Sequence, residues 1–260
     1  MEMKQLSKDK EQITFLVKGY SPAETNTLRR IMVNKVPTMA IDTIEVIENS
    51  SALYNEMLAH RMGLLPLKTD LKSYFISEKC KCQGEGCARC TLQLTLEAEG
   101  PCIVYADQIK SMDPKVIPAH SKTPIVKLLE NQKVKLIATA KLGSGKNHMK
   151  FSPGLVFYKG LPQIKIGKVS NPKSVVAICP KKLYKLDGSK LKMTESTDCT
   201  LCKACVDASD KGIEVTASDK DFIITIEPWG QLSPKEMIES AADTISAQAK
   251  DVIDAIKKIK

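Results

Sequence analysis

Eight of the nine cysteines in this 260-residue chain fall into two groups whose spacing could hold metal. In the stretch CTLCKAC, Cys199, Cys202 and Cys205 stand three positions apart. Three thiolates at that pitch suit one metal centre, but tetrahedral zinc and cubane iron–sulfur sites both usually take four ligands. A fourth must come from elsewhere in the chain. The other group, CKCQGEGCARC, is complete in itself: Cys80, Cys82, Cys87 and Cys90 form a compact C-x-C-x4-C-x2-C run. Gly84 and Gly86 let the backbone fold round an ion. Tetrahedral zinc is the first reading of this group, with the site expected between strand-like segments at a hairpin tip. Free thiols, disulfides formed on isolation and a second iron–sulfur cluster are the alternatives. The ninth, Cys102, beside an apolar strand, reads as a small hydrophobe without a function.

The missing ligand can be sought by comparing half-motifs. Two-cluster ferredoxins repeat C-x2-C-x2-C-x3-C-P, the last Cys of each repeat ligating the other repeat's cluster. Here AICP supplies Cys179 and Pro180, but Val169, Pro172 and Val175 occupy the other three positions. CTLCKAC supplies the three-cysteine run, but its terminal position is Ser209. Together the halves hold one complete set, Cys179, Cys199, Cys202 and Cys205, for one [4Fe–4S] cluster, with a three-iron form on oxidation. Zinc on the same four thiolates is the rival.

The elements that would position these groups follow from periodicity. Residues 13–20 read as a strand. Ser21, Pro22 and Glu24 make a capping box with proline at the first helical position, opening a helix over 22–36 with Leu28, Ile31 and Met32 on its apolar face. Residues 41–48 read as a strand and 52–63 as a short helix stopped by Gly63. From 64 to about 165 the pattern is β-rich, with Leu92, Leu94 and Leu96 on one strand face. GSGK at 143–146 lacks phosphate-loop spacing, and Asn147 follows the Lys, so a turn is expected. After a strand at 221–227, Ser233, Pro234 and Glu236 repeat the capping device. Ile238, Ala242, Ile245, Ala249, Val252, Ile256 and Ile259 then recur 4, 3, 4, 3, 4 and 3 residues apart. That is a heptad seam on a helix of about seven turns. It is read as the seat of a partner helix, against the alternative of packing within the chain.

Composition narrows the function classes. The first twelve residues are polar, unlike a signal peptide, and no apolar run approaches the roughly 18 residues of a membrane helix. A soluble, cytoplasmic chain with no membrane partner is expected, and nine cysteines in a reducing compartment argue for metal rather than disulfides. The net charge of +9 could suggest nucleic acid, but aromatic residues are 5% of the chain and no run interleaves them with basic ones. A basic soluble surface or acidic protein partners explain the charge better. No carboxylate cluster resembles a magnesium site, so no catalytic residue is assigned. His60 and Arg61 lack a paired base or nucleophile and read as interface or capping residues.

Residues 21–67, ending in LAHRMGLLPL, resemble the signature of the archaeal DNA-directed RNA polymerase D subunit. That family is related to the third-largest eukaryotic polymerase subunit and to the bacterial α N-terminal domain. GSGKNHMKFSP at 143–153 is similar to a second family motif, and the C-terminal helix to a third feature. The resemblance implies an α+β fold of three parts. A discontinuous dimerisation domain (1–38 and 217–260) carries two long helices. A β-rich domain (39–165) with the Cys80–Cys90 zinc-type site is inserted in it, as is a ferredoxin-like iron–sulfur domain (166–216). It also implies a non-catalytic assembly platform that pairs with the small L subunit and holds the large catalytic subunits and the small N and P subunits. Nucleotidyl transfer then belongs to the complex, and the chain makes no direct catalytic contact with nucleic acid. The competing function is a ferredoxin-like electron-transfer or redox-sensing protein.

Overall fold

The computed structural model of the chain describes residues 2–9, 12–188, 190–194 and 196–259. In chain order its first elements are β1 (Glu2–Lys8), β2 (Ile13–Lys18), α1 (Pro22–Asn34), β3 (Pro37–Asn49) and α2 (Asn55–Gly63). Then come β4 (Thr91–Glu99), β5 (Cys102–Tyr105), β6 (Lys110–Ser111), β7 (Pro124–Leu128), β8 (Lys133–Ser144) and β9 (Gly154–Ile166). The chain continues with α3 (Pro172–Ile178), β10 (Tyr184–Asp187), β11 (Lys190–Met193), α4 (Ala204–Ala208), β12 (Ile213–Pro228) and α5 (Pro234–Lys258). The fold is mixed α+β. Among the described residues no helix is long and apolar enough to cross a membrane.

The two long helices start as their sequences require. At α1 the Ser21 N–H donates to Glu24 Oε2 at 2.7 Å and the Glu24 N–H to Ser21 Oγ at 3.2 Å. At α5 the same reciprocal pair joins Ser233 and Glu236 at 2.9 and 3.3 Å. The bonds from Ser21 and Ser233 hold both glutamates below the usual carboxylate range. Helix α1 ends at Asn34, two residues earlier than expected. Pro37 disfavours helical backbone at the residue before it, and the chain enters β3 there. Its Ile31 and Met32 are buried and Leu28 half-buried, as the apolar face predicts.

The contacts divide the chain into two compact units, Met1–Thr27 with Phe157–Thr225, and Leu28–Val156 with Ile226–Lys260. In the second, the antiparallel sheet runs β3-β8-β4-β6, beside the β5-β7 pair. The alternation in β4 buries Leu92, Leu94 and Leu96, as expected. Leu92 stands opposite Ala140 and Leu94 opposite Ala138, so large residues of β4 meet small ones of β8. Leu58 and Met62 from α2 join this core with no exposed surface. Each such side chain contributes about 1.5–3 kcal/mol on burial.

In the first unit the sheet runs β1-β2-β12-β9, with the hairpin β10-β11 separate. Strand β12 is much longer than the expected 221–227. Its polar stretch TASDK stays extended because the strand lies between β2 and β9 and neighbours satisfy its backbone, including the Gly19 and Tyr20 N–H groups on the Lys220 carbonyl. A separate small core gathers Val175, Leu183, Tyr184, Cys199, Cys205, Ile213 and Val215.

Candidate metal centres

The compact quartet follows a single turn of 3-10 helix (Ser77–Lys79) and leads directly into β4. It is therefore not a hairpin tip as expected. The expected β-rich pattern does not become a strand between α2 and β4, and the Phe75 N–H bonds the Arg89 carbonyl across the loop at 2.9 Å. Gly84 and Gly86 both adopt φ of +91°, backbone that a side chain disfavours. The Cys90 and Thr91 N–H groups both reach the Cys87 carbonyl at 2.9 Å, closing a tight turn. As a result the four sulfurs lie within 4.8 Å of one another. Cys80 and Cys87 are 3.6 Å apart, Cys82 and Cys90 3.5 Å, and Cys87 and Cys90 3.8 Å. Hydrogen bonds from Cys80 and Cys90 pull the Cys82 thiol down to about 6, whereas burial pushes Cys90 up to about 12. Four thiolates packed this closely repel, so all four can ionise together only round a cation.

The second quartet is assembled from separated elements. Cys179 caps the C-terminus of α3, Cys199 and Cys202 lie in the loop after β11, and Cys205 sits in α4. The hairpin β10-β11 lies between Cys179 and Cys199 in the chain. All four line one small cavity with Pro180, Leu183, Tyr184 and Lys203. Cys199 and Cys205 are buried, Cys179 half-buried and Cys202 exposed. Leu201 and Lys203 turn the loop with φ of 60° and 61°. Among the described residues only the first quartet brings three or more His, Cys, Asp or Glu ligand atoms within 4.8 Å of one another, so the second is the more widely spaced.

Two residues that sequence reading passed over complete this region. The Tyr184 hydroxyl donates to Cys205 Sγ at 3.3 Å, both groups being buried. Burial, then that bond, pushes the phenol well above its ordinary pKa. Lys159 Nζ donates to the carbonyls of Thr197 and Cys199 at 2.7 and 2.8 Å. Neither carries a sequence signal: Tyr184 reads as one more apolar strand residue, and Lys159 as one of many scattered lysines.

A family model described as the RNA polymerase Rpb3/RpoA insert domain matches residues 36–154. DNA-directed RNA polymerase subunit Rpo3 of Methanosarcina acetivorans is 34% identical over 264 residues, spanning 100% of this chain and 99% of that relative. The chain belongs to the Rpo3 family. Rpo3 of Archaeoglobus fulgidus is 33% identical, over 96% of this chain and 95% of the relative. Rpo3 of Thermococcus kodakarensis is also 33% identical, over 100% and 99%. Matches that run from end to end lend no support to a self-standing electron-transfer protein.

The segments that carry the family resemblance have structural work in this Rpo3-family chain. Arg61 donates to the carbonyls of Ile125 and Pro124 at 2.7 Å each, binding α2 to β7, while His60 is exposed. The turn expected at GSGK falls at 145–147, because Gly143 and Ser144 still pair with β3 as the end of β8. A Cβ on Gly145 would strike the Val33 carbonyl, and the Lys146 N–H bonds the Asn34 carbonyl at the end of α1. A Cβ on Gly143 would lie 2.7 Å from the Phe151 ring. Beside it the Phe151 carbonyl accepts from Thr38 Oγ1 at 2.7 Å, the Ser152 carbonyl from Gln231 Nε2 at 3.0 Å, and Lys150 pairs with Asp42 at 2.9 Å. HMKFSP thus clips β3 to the segment that leads into α5.

Along α5 the buried positions are Met237 and Ala241, one residue off the heptad seam. Of the seam, Ile238 and Ile245 are half-buried, and Ala242, Ala249, Val252, Ile256 and Ile259 are exposed. Ile253, outside the seam, is exposed beside them.

Proposed function

We propose that this chain is the non-catalytic assembly subunit of a DNA-directed RNA polymerase. The observation that carries the reading is end-to-end identity to polymerase subunits named Rpo3. In this reading α1 and α5 pair with a small L-type subunit, and the chain holds the large catalytic subunits and small N and P subunits. The exposed stripe Val252, Ile253, Ile256 and Ile259 supports the pairing, because an apolar helix face left to water marks a contact site. The three-part division into residues 1–38 with 217–260, 39–165 and 166–216 belongs to the same reading. The match at 36–154 to an insert-domain model and the separate core round Cys199 and Cys205 favour it.

The cysteine chemistry assigns the metals. Thiolates about 2.3 Å from one ion form a tetrahedron with edges of about 3.8 Å. Three of the first quartet's separations, at 3.5–3.8 Å, fit that size and the rest stay within 4.8 Å, so Cys80, Cys82, Cys87 and Cys90 would hold one zinc. A multi-iron cluster puts its thiolates on different irons and spreads them further. The wider second quartet, gathered round one cavity, suits a [4Fe–4S] cluster on Cys179, Cys199, Cys202 and Cys205. Either metal would tie its segment together, since ligation couples binding to folding.

Co-expression without oxygen with the small subunit should give a one-to-one pair carrying iron and zinc but unable to polymerise nucleotides. Changing Ile245 and Val252 to Asp should abolish pairing on size exclusion. A pair that survives both changes, or polymerises without the large subunits, overturns the reading.

A further inference from the structure

We propose that Tyr184 is the outer-sphere residue that sets the reduction potential of the cluster, by donating a hydrogen bond to the Cys205 ligand. The inference rests on the iron–sulfur reading of Cys179, Cys199, Cys202 and Cys205. The geometry on which it stands is specific. Tyr184 opens the hairpin β10-β11, is 3% exposed, and lines the same cavity as all four cysteines. Its hydroxyl lies 3.3 Å from Cys205 Sγ inside the small core of Val175, Leu183, Ile213 and Val215. Phenylalanine would fill that space without burying a polar group. A hydroxyl there needs a partner, and the partner the fold supplies is a ligand sulfur.

A bond to an ionised acceptor is stronger than one to a neutral acceptor. One-electron reduction takes the cluster from the 2+ to the 1+ state. No bond forms or breaks, and the electron comes from an external chemical reductant. The added negative charge spreads onto the thiolates, so a donor on Cys205 favours the reduced state and raises the potential. The Leu201 N–H does the same for Cys199 Sγ at 3.4 Å, but as backbone it is present whatever the side chain. Tyr184 is the donor that substitution can remove. Lys159 holds the Thr197 and Cys199 carbonyls and sets its positive charge near Cys199, away from the Tyr184–Cys205 bond that the substitution removes.

The test is a dithionite titration, followed by electron paramagnetic resonance, of the full chain purified without oxygen. Tyr184→Phe should keep the wild-type iron content and shift the potential to more negative values. Placing 3-fluorotyrosine at 184 keeps the ring and makes the hydroxyl a stronger donor, so the potential should rise. Opposite shifts support the proposal. Intact clusters with equal potentials in all three proteins overturn the role of Tyr184 and leave the cluster standing. A wild-type chain free of iron overturns the cluster reading and the proposal with it. If Tyr184→Phe cannot hold iron, the fluorinated protein decides: a rise supports the donor and an unchanged potential refutes it.

Discussion

The quartet at 80–90 draws its sulfurs from eleven consecutive residues, whereas that at 179–205 draws them from a helix end, a loop and a second helix, with a hairpin between. The two also manage backbone strain differently. The compact site turns through Gln83, Gly84 and Gly86 with φ of 54°, 91° and 91°, and places glycine at the two largest values. The dispersed site needs φ near 60° at Leu201 and Lys203, the left-handed region that other residues reach at a cost of about 1–2 kcal/mol. A short chelating loop must turn sharply within itself, so glycine takes the positions that a side chain tolerates least. A site built between elements can spread the turn, and packing of Cys199 and Cys205 into a core compensates the strain. Metal at the first site should therefore organise a loop, and at the second a folding unit.

The largest effect should come from breaking the second site. Cys205→Ala is expected to abolish iron binding and to lower hydrogen-exchange protection throughout 172–215, because it empties a core as well as a ligand position. Protection in β3, β4 and β8 should persist. Loss confined to 199–205 would make the two sites alike.

A smaller effect is expected at the first site. Cys90→Ala should remove zinc, read as metal per chain, and expose amides only over about residues 75–91. Spread of that loss along the whole of β4 would show that this site, too, supports a core.

The strain comparison sharpens further with single substitutions. Gly86→Ala should destabilise the metal-bound loop by about 1–2 kcal/mol, since its φ suits no side chain. Lys203→Gly should stabilise its loop slightly, by at most about 1 kcal/mol, by relieving the left-handed conformation. Local exchange rates in the metal-loaded chain would read both.

The smallest effect concerns the approach to the first site. Asp70 accepts from the Lys72 N–H at 2.9 Å, from Ser73 Oγ at 2.8 Å and from Lys115 at 3.1 Å. The Lys72 bond leads in holding its carboxyl down at about 2. A depressed carboxylate pKa adds stability that is complete above the ordinary value of about 4 and is lost as pH falls through the folded one. Wild type should exceed Asp70→Asn by under about 1 kcal/mol at neutral pH, since Lys115 is exposed. Thermal melts of the metal-free chains should converge between pH 4 and 2.

Much of this was legible in local pattern. Both capping boxes, the Leu92–Leu94–Leu96 face, a turn beginning within GSGK and the grouping of the first four cysteines follow from contacts between residues close in sequence, where spacing dictates geometry. The complementary half-motifs also named the four cysteines that line the second cavity. Long-range packing decided the rest. Strand β12 is extended through a polar stretch because flanking strands satisfy its backbone. Arg61 is spent on the carbonyls of a strand more than sixty residues away. Met237 and Ala241, not the regular seam, meet the core, because a helix period states which residues share a face and not which face turns inward. Tyr184 gained a sulfur partner for the same reason: hydrogen bonds between distant elements leave no spacing to read.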